Sequence, residues 1–159
     1  MIKILSKRRF DNFIKQNFID DNNVEGLKDY AFISILNSPN NTWFGDDDYF
    51  FTSVFKLQHE NVLILTFDDV ENQSPGNIPF SEEMADMVLD FVNKNKERDF
   101  IIHCAAGISR SGAIGSFINN YVQWDFQRFK IENPQIQPNA RVLRMLNNKA
   151  WEMKYGKRN

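Results

Sequence analysis

The chain has 159 residues, the size of one compact domain, which argues against two independent enzymatic modules. Its 42% hydrophobic, 14% aromatic and 25% charged residues exclude a disordered or collagen-like polymer. With 19 Lys and Arg against 21 Asp and Glu, the net charge of -2 leaves no broad electropositive face for nucleic acid, so any anion must be held locally.

Strands and helices alternate along the chain. Residues 2–5 read as a short strand, and Ser6 as the cap of a helix on which Phe10, Phe13, Ile14 and Phe18 recur at helical spacing. The polar stretch 20–26 ends that helix. A strand is expected over 31–36, followed by a loop through Asn37, Ser38, Pro39, Asn40 and Asn41. Residues 62–67 form a near-continuous apolar run, as in a central parallel strand covered on both faces, and stop at Asp68 and Asp69. After a loop over 71–79, Ser81 begins a helix with Glu82 and Glu83 in its first turn and Met84, Val88, Phe91 and Val92 on its buried face. Residues 100–102 make another strand. The next helix starts near Arg110, with Ile114, Phe117, Ile118, Tyr121 and Val122 as its stripe and Gly112 and Gly115 pressed against the sheet. Val142, Leu146, Ala150 and Met153 mark a last helix opened by Asn139, ending in a basic tail with Lys154, Lys157 and Arg158. The expected fold is α/β: a central, mostly parallel twisted sheet flanked by helices.

Cys104 is the only cysteine, so neither an intrachain disulfide nor a thiolate zinc cage can form within one chain. A solitary cysteine is ordinarily a small buried apolar residue, and its neighbours must overturn that reading. They run Ile102, His103, Cys104, Ala105, Ala106, Gly107, Ile108, Ser109, Arg110, Ser111, Gly112. Strand, short loop and helix in that order turn backbone N–H groups toward the helix start and make an anion cradle. Arg110 can add a planar two-pronged contact, and the same field favours thiolate over thiol at Cys104.

This segment resembles the signature of the cysteine-dependent protein tyrosine phosphatases: His-Cys, five residues, Arg, then Ser or Thr. His103, Cys104, Gly107, Arg110 and Ser111 fill the diagnostic places, a coincidence on the order of once in a million at a given site. The resemblance, firm over residues 61–122, implies a phosphotyrosine phosphatase-like fold and a phosphocysteine intermediate on Cys104. It implies that Arg110 and the backbone of Ala105, Ala106, Gly107, Ile108 and Ser109 hold the phosphate oxygens. His103 would support the loop and lower the cysteine pKa, and Ser111 would assist the departing sulfur. As bare residues, His103 reads equally as a satisfied core histidine and Ser111 as a first-turn serine.

A general acid must protonate the leaving oxygen, and the end of the 62–67 strand is where a parallel sheet would present one. Asp68 and Asp69 stand there, Asp69 lying 35 residues before Cys104. Similarity to small dual-specificity and bacterial tyrosine phosphatase-like proteins favours Asp69 and leaves Asp68 open. The Trp-Pro-Asp form of the larger classical phosphatase domains is missing, and the phosphate loop contains no Lys, which counts against a phosphoinositide reading.

The expectation is therefore one phosphatase domain acting on a phosphorylated protein or peptide, with phosphotyrosine first and phosphoserine or phosphothreonine second. Phosphate, sulfate or vanadate should inhibit. No cofactor or metal, nucleic-acid partner or membrane is expected; a cytoplasmic monomer is. The rival readings are a phosphatase for lipid or RNA phosphates and a phospho-residue binding module whose catalysis has lapsed. Asp46, Asp47 and Asp48 read as a solvated loop, His59 as a surface histidine, and Trp43 and Phe44 as either a cleft wall or core anchors.

Overall fold

A computed structural model describes residues 1–40, 48–123 and 125–157. Four strands, β1 (Ile2–Ser6), β2 (Tyr30–Leu36), β3 (Val62–Thr66) and β4 (Asp99–Cys104), form a sheet in the order β1-β4-β2-β3, and every pairing is parallel. Around it lie α1 (Lys7–Gln16), α2 (Glu82–Lys94), α3 (Arg110–Ile118, continued by a π-helical turn, Asn119–Gln123), α4 (Phe126–Glu132) and α5 (Ala140–Tyr155). Because all strands run the same way, the segments after Ser6, Leu36, Thr66 and Cys104 meet at one edge, where parallel sheets place their sites.

The predicted caps form. The hydroxyls of Ser6 and Ser81 accept from the backbone N–H of Arg9 and Met84, and the Asn139 side chain accepts from Val142. One face of the sheet is covered by α2, α3 and α5, packed on Ile4, Ile33, Leu65, Phe100 and Ile102. The other is covered by α1, whose Phe10 and Ile14 pack with Phe32, Phe55 and Ile101. Burying such side chains contributes about 1.5–3 kcal/mol each. Consecutive strand residues point to opposite faces. Along β4, Cys104 accordingly shares the α3 side with Ile102, and His103 lies on the α1 side against Phe10, ring centroids 4.3 Å apart.

Several expectations change. α1 stops before Phe18, which takes a left-handed conformation (φ 55°) and is 86% exposed. The N–H of Ile19 bonds the Ile14 carbonyl and that of Phe18 bonds Lys15, a Schellman ending that buries Ile19 instead. Gly115 does touch the sheet, since a Cβ there would meet Ile4 Cδ1 at 2.5 Å, but Gly112 faces Ile136 in the segment before α5. Lys154 belongs to α5, not to a tail. Helix α4, capped by Asp125, has no counterpart in the predicted elements. His59 is not a lone surface residue: its ring nitrogens meet Asp21 at 2.7 Å and Glu25 at 3.0 Å. Asn41, Trp43, Phe44, Asp46, Asp47 and Arg158 lie outside the described residues, and Asp48 opens a 3₁₀ turn, Asp48–Phe51. Among the described residues no helix is long and apolar enough to cross a membrane.

Candidate active site

The turn from β4 into α3 forms because Gly107 sits between Cys104 and Arg110. Its φ of +74° is unfavourable for residues with a side chain, and a Cβ would lie 2.5 Å from both the Leu5 carbonyl carbon and the Ser6 nitrogen. The loop therefore rests directly on the β1–α1 junction. Four of its carbonyls accept from donors elsewhere in the fold: Ala105 from the Lys7 N–H, Gly107 from Gln135 Nε2, Ile108 from the Gln137 N–H, and Ser109 from the N–H groups of Ala113 and Asn139. Opposite these carbonyls the Gly107 N–H donates to Cys104 Sγ at 3.3 Å, and the N–H groups of Ile108 and Ser111 also face the sulfur.

Cys104 is 2% exposed, yet its sulfur is not surrounded by hydrocarbon alone. Ser111 Oγ lies 3.0 Å away. Burial pushes the thiol up, but the Arg110 charge, the Ser111 hydroxyl and the N–H groups of Ser111 and Ile108 outweigh it and hold Cys104 below the ordinary thiol value. Arg110 is 4% exposed. Its Nη1 donates to the Phe67 carbonyl at 2.8 Å, which anchors the guanidinium under the end of β3. Its Nε is buried with no acceptor among the described residues. A buried guanidinium N–H without a partner costs several kcal/mol unless a further acceptor arrives, and an oxyanion above the loop is such an acceptor.

No protein-family model matches the chain, and neither does any curated protein. Its structure is similar to that of PTP-2 phosphatase from Cydia pomonella, at 14% identity and a TM-score of 0.50, covering 93% of this chain and 84% of that one. The fold is that of the cysteine-dependent tyrosine phosphatases. The chain is also similar to the human tyrosine phosphatase-like serine/threonine/tyrosine-interacting protein (18% identity, 86% of each chain, TM-score 0.47). A third similar structure is Tk-PTP in its active form (15% identity, 92% of this chain and 87% of that one, TM-score 0.46).

Within this phosphatase fold the remaining sequence-predicted residues separate into two shells. His103 does not enter the pocket. Its Nδ1 lies 3.0 Å from the Cys104 carbonyl, which can only accept, so Nδ1 carries the proton and Nε2 accepts from Ser34 Oγ at 2.6 Å. Burial pushes His103 down to about 4, with Lys7 and Arg110 adding to the shift against the raising effect of the Cys104 carbonyl. At neutral pH it is uncharged, and it supports the loop by hydrogen bonding rather than by a positive charge beside the sulfur.

The two aspartates differ as sharply. Asp68 is buried and accepts from the Ser38 N–H (3.0 Å), Ser38 Oγ (2.7 Å) and the Ile78 N–H (2.8 Å), tying together the loops that follow β2 and β3. Asp69 is exposed and reaches the loop between Cys104 and Arg110, where its Oδ1 accepts from Ser109 Oγ at 2.8 Å. Asn139 Nδ2 donates to the same oxygen at 2.8 Å.

The sequence reading missed the segment between α4 and α5. Asn133 bonds the Ile4 N–H and the Ile2 carbonyl, Gln135 bonds the carbonyls of Ile4 and Gly107, and residues 137 and 139 bond the loop backbone. The only local hint was a run of amides and prolines with no apolar period. A cavity of about 560 Å³ lies at the opposite, amino-terminal end of β3, beside α2, and contains none of these groups. Among the described residues no His, Cys, Asp and Glu side chains cluster as a metal site would require.

Proposed function

We propose that the protein hydrolyses phosphate monoesters through a phosphocysteine, with phosphotyrosine in proteins or peptides as the preferred substrate and phosphoserine or phosphothreonine as secondary ones. The observation that carries this reading is the pairing, on one loop, of a depressed thiol with a buried Arg110 Nε that has no acceptor among the described residues.

Cys104 thiolate attacks phosphorus; the P–S bond forms as the ester P–O bond breaks, and the leaving oxygen takes the Asp69 proton. The backbone N–H groups of residues 105–110 and the Arg110 guanidinium hold the three equatorial oxygens, most strongly when charge is spread over them. Water then gives a proton to Asp69 carboxylate and attacks phosphorus; the P–S bond breaks and thiolate departs, receiving the Ser111 hydroxyl hydrogen bond. Inorganic phosphate is the product, and the protein's own groups complete the cycle.

Two features support an aryl ester. The sulfur lies beneath the surface, which a rigid aromatic arm reaches better than a short alkyl one, and the phosphate loop carries no Lys or second Arg for a polyanionic headgroup. Purified protein should release phosphate from a phosphotyrosine peptide faster than from phosphoserine peptide, phosphoinositide vesicles or 5′-phosphorylated RNA. Cys104→Ser should abolish the rate. A faster rate on vesicles or RNA would reassign the substrate, and no rate on any of them in a folded protein would favour a binding module.

A further inference from the structure

An exposed aspartate ordinarily samples several rotamers, and a general acid doing so would spend most of its time misplaced. Asp69 is exposed, but its Oδ1 is taken by two donors, Ser109 Oγ and Asn139 Nδ2, each at 2.8 Å. Two hydrogen bonds fill the acceptor capacity of one carboxyl oxygen. Oδ2 accepts nothing among the described residues, so it is the oxygen on which a proton can reside.

Asn139 is itself held from three sides. It is 4% exposed; its N–H donates to the Ser109 carbonyl at 3.0 Å, its Oδ1 accepts from the Val142 N–H at 3.1 Å as the cap of α5, and its Nδ2 is thereby turned to Asp69. A flipped amide would lose these side-chain bonds and a further one from Nδ2 to the Val70 carbonyl, which fixes the assignment of nitrogen and oxygen. The N–H of Gln137 bonds the Ile108 carbonyl, so the start of α5 is latched to the same loop that carries Cys104. Acid and nucleophile come from different strands, and Ser109 with Asn139 is the joint between them.

Resting on the phosphatase reading above, we propose that Ser109 and Asn139 are positioning residues that lock the Asp69 carboxyl with Oδ2 as its proton-bearing atom, and so set how far the enzyme can act on esters with poor leaving groups. Neither touches the reacting atoms through its side chain. Both act through Asp69.

The test compares kcat/KM on phenyl phosphate, whose leaving group needs a proton, with that on 2,4-dinitrophenyl phosphate, whose leaving group does not. Asn139→Ser retains a capping oxygen but loses the amide donor, and Ser109→Ala removes the other donor while leaving the backbone. Each should reduce kcat/KM on phenyl phosphate about tenfold or more while changing the dinitrophenyl ester less than threefold, as expected when one charge-assisted bond is lost. Ser109→Thr should restore the phenyl phosphate rate. In an Asp69→Asn background neither replacement should slow phenyl phosphate further. Equal slowing of both esters, or the same loss with and without Asp69, would overturn the assignment in favour of a purely structural role. Absence of turnover on both esters in the unmodified protein would instead overturn the phosphatase reading, and this assignment with it.

Discussion

Ser111 Oγ lies 3.0 Å from Cys104 Sγ, one residue past the arginine that the same helix turn buries. A hydroxyl in that place stabilises a negative sulfur, which in the proposed mechanism is the nucleophile of the first step and the leaving group of the second. On that mechanism phosphoenzyme breakdown regenerates the thiolate, so Ser111→Ala should slow it more than formation. A hydrogen bond to a charged group contributes about 1.5–3 kcal/mol, so kcat should fall roughly ten- to hundredfold. Rapid-quench measurement should then find a burst of released phenol approaching one per active site. A slowed enzyme without a burst would place Ser111 in the first step or in the fold alone.

Asp68 and Asp69 should respond differently to the same replacement. Asp69→Asn should lower kcat/KM on phenyl phosphate by about 10² to 10⁴ with unchanged stability. Asp68→Asn sets an NH₂ group against donors that now bond a carboxylate oxygen, and should lower the urea midpoint while the folded fraction retains its leaving-group dependence. An intact urea midpoint together with lost acid catalysis in Asp68→Asn would reverse the two roles.

Gly107→Ala should be severe because the obstacle is backbone on both sides. The added Cβ meets Leu5 and Ser6 main-chain atoms at 2.5 Å in a conformation already costly for alanine, together about 2–4 kcal/mol. Denaturant titration should record that loss, and phosphate should no longer protect Cys104 from alkylation. Gly76→Ala, at φ +80° with open space around it, serves as the control for strain without a clash.

His59 makes a pH prediction of its own. Burial draws its pKa down, but the bonds to Asp21 and Glu25 outweigh that and leave it above the ordinary histidine value of 6.5. A group raised on folding contributes stability that is complete below 6.5 and is lost as pH rises through the folded value. Asp21 also accepts from the N–H groups of Lys56 and Leu57, so the ion pair staples the segment before β3 to the turn after α1. His59→Asn should remove about 0.5–1 kcal/mol at pH 6 and much less at pH 9. A pH-independent difference in urea titrations would show that packing, not charge, holds His59.

What could be read from the sequence follows the range of the interactions. Ser6, Ser81 and Asn139 cap helices through partners three residues away, and the loop from Cys104 to Arg110 encodes its own turn through Gly107; both are local and legible. Phe18 misled because its spacing fits α1 while a left-handed turn hands its place to Ile19. Helix α4 escaped because Phe126 and Ile131 point outward and blur its period. The buried asparagines were invisible as a set: Asn61 serves the carbonyls of Val24, Leu27 and Tyr30, and Asn133 ties β1 to the start of the loop before α5. The partners of Asp68, Asp69 and His59 lie tens of residues away, so only the folded chain distinguishes a structural carboxylate from one facing the loop.

The most direct measurement is the rate of Cys104 alkylation by iodoacetamide as a function of pH, with and without vanadate. A thiol depressed by Arg110 and Ser111 should react with a midpoint below that of a free thiol, vanadate should block the reaction, and Arg110→Ala should move the midpoint upward and end the protection. A midpoint at or above that of a free thiol, indifferent to vanadate and to Arg110, would contradict a thiolate held in an oxyanion cradle.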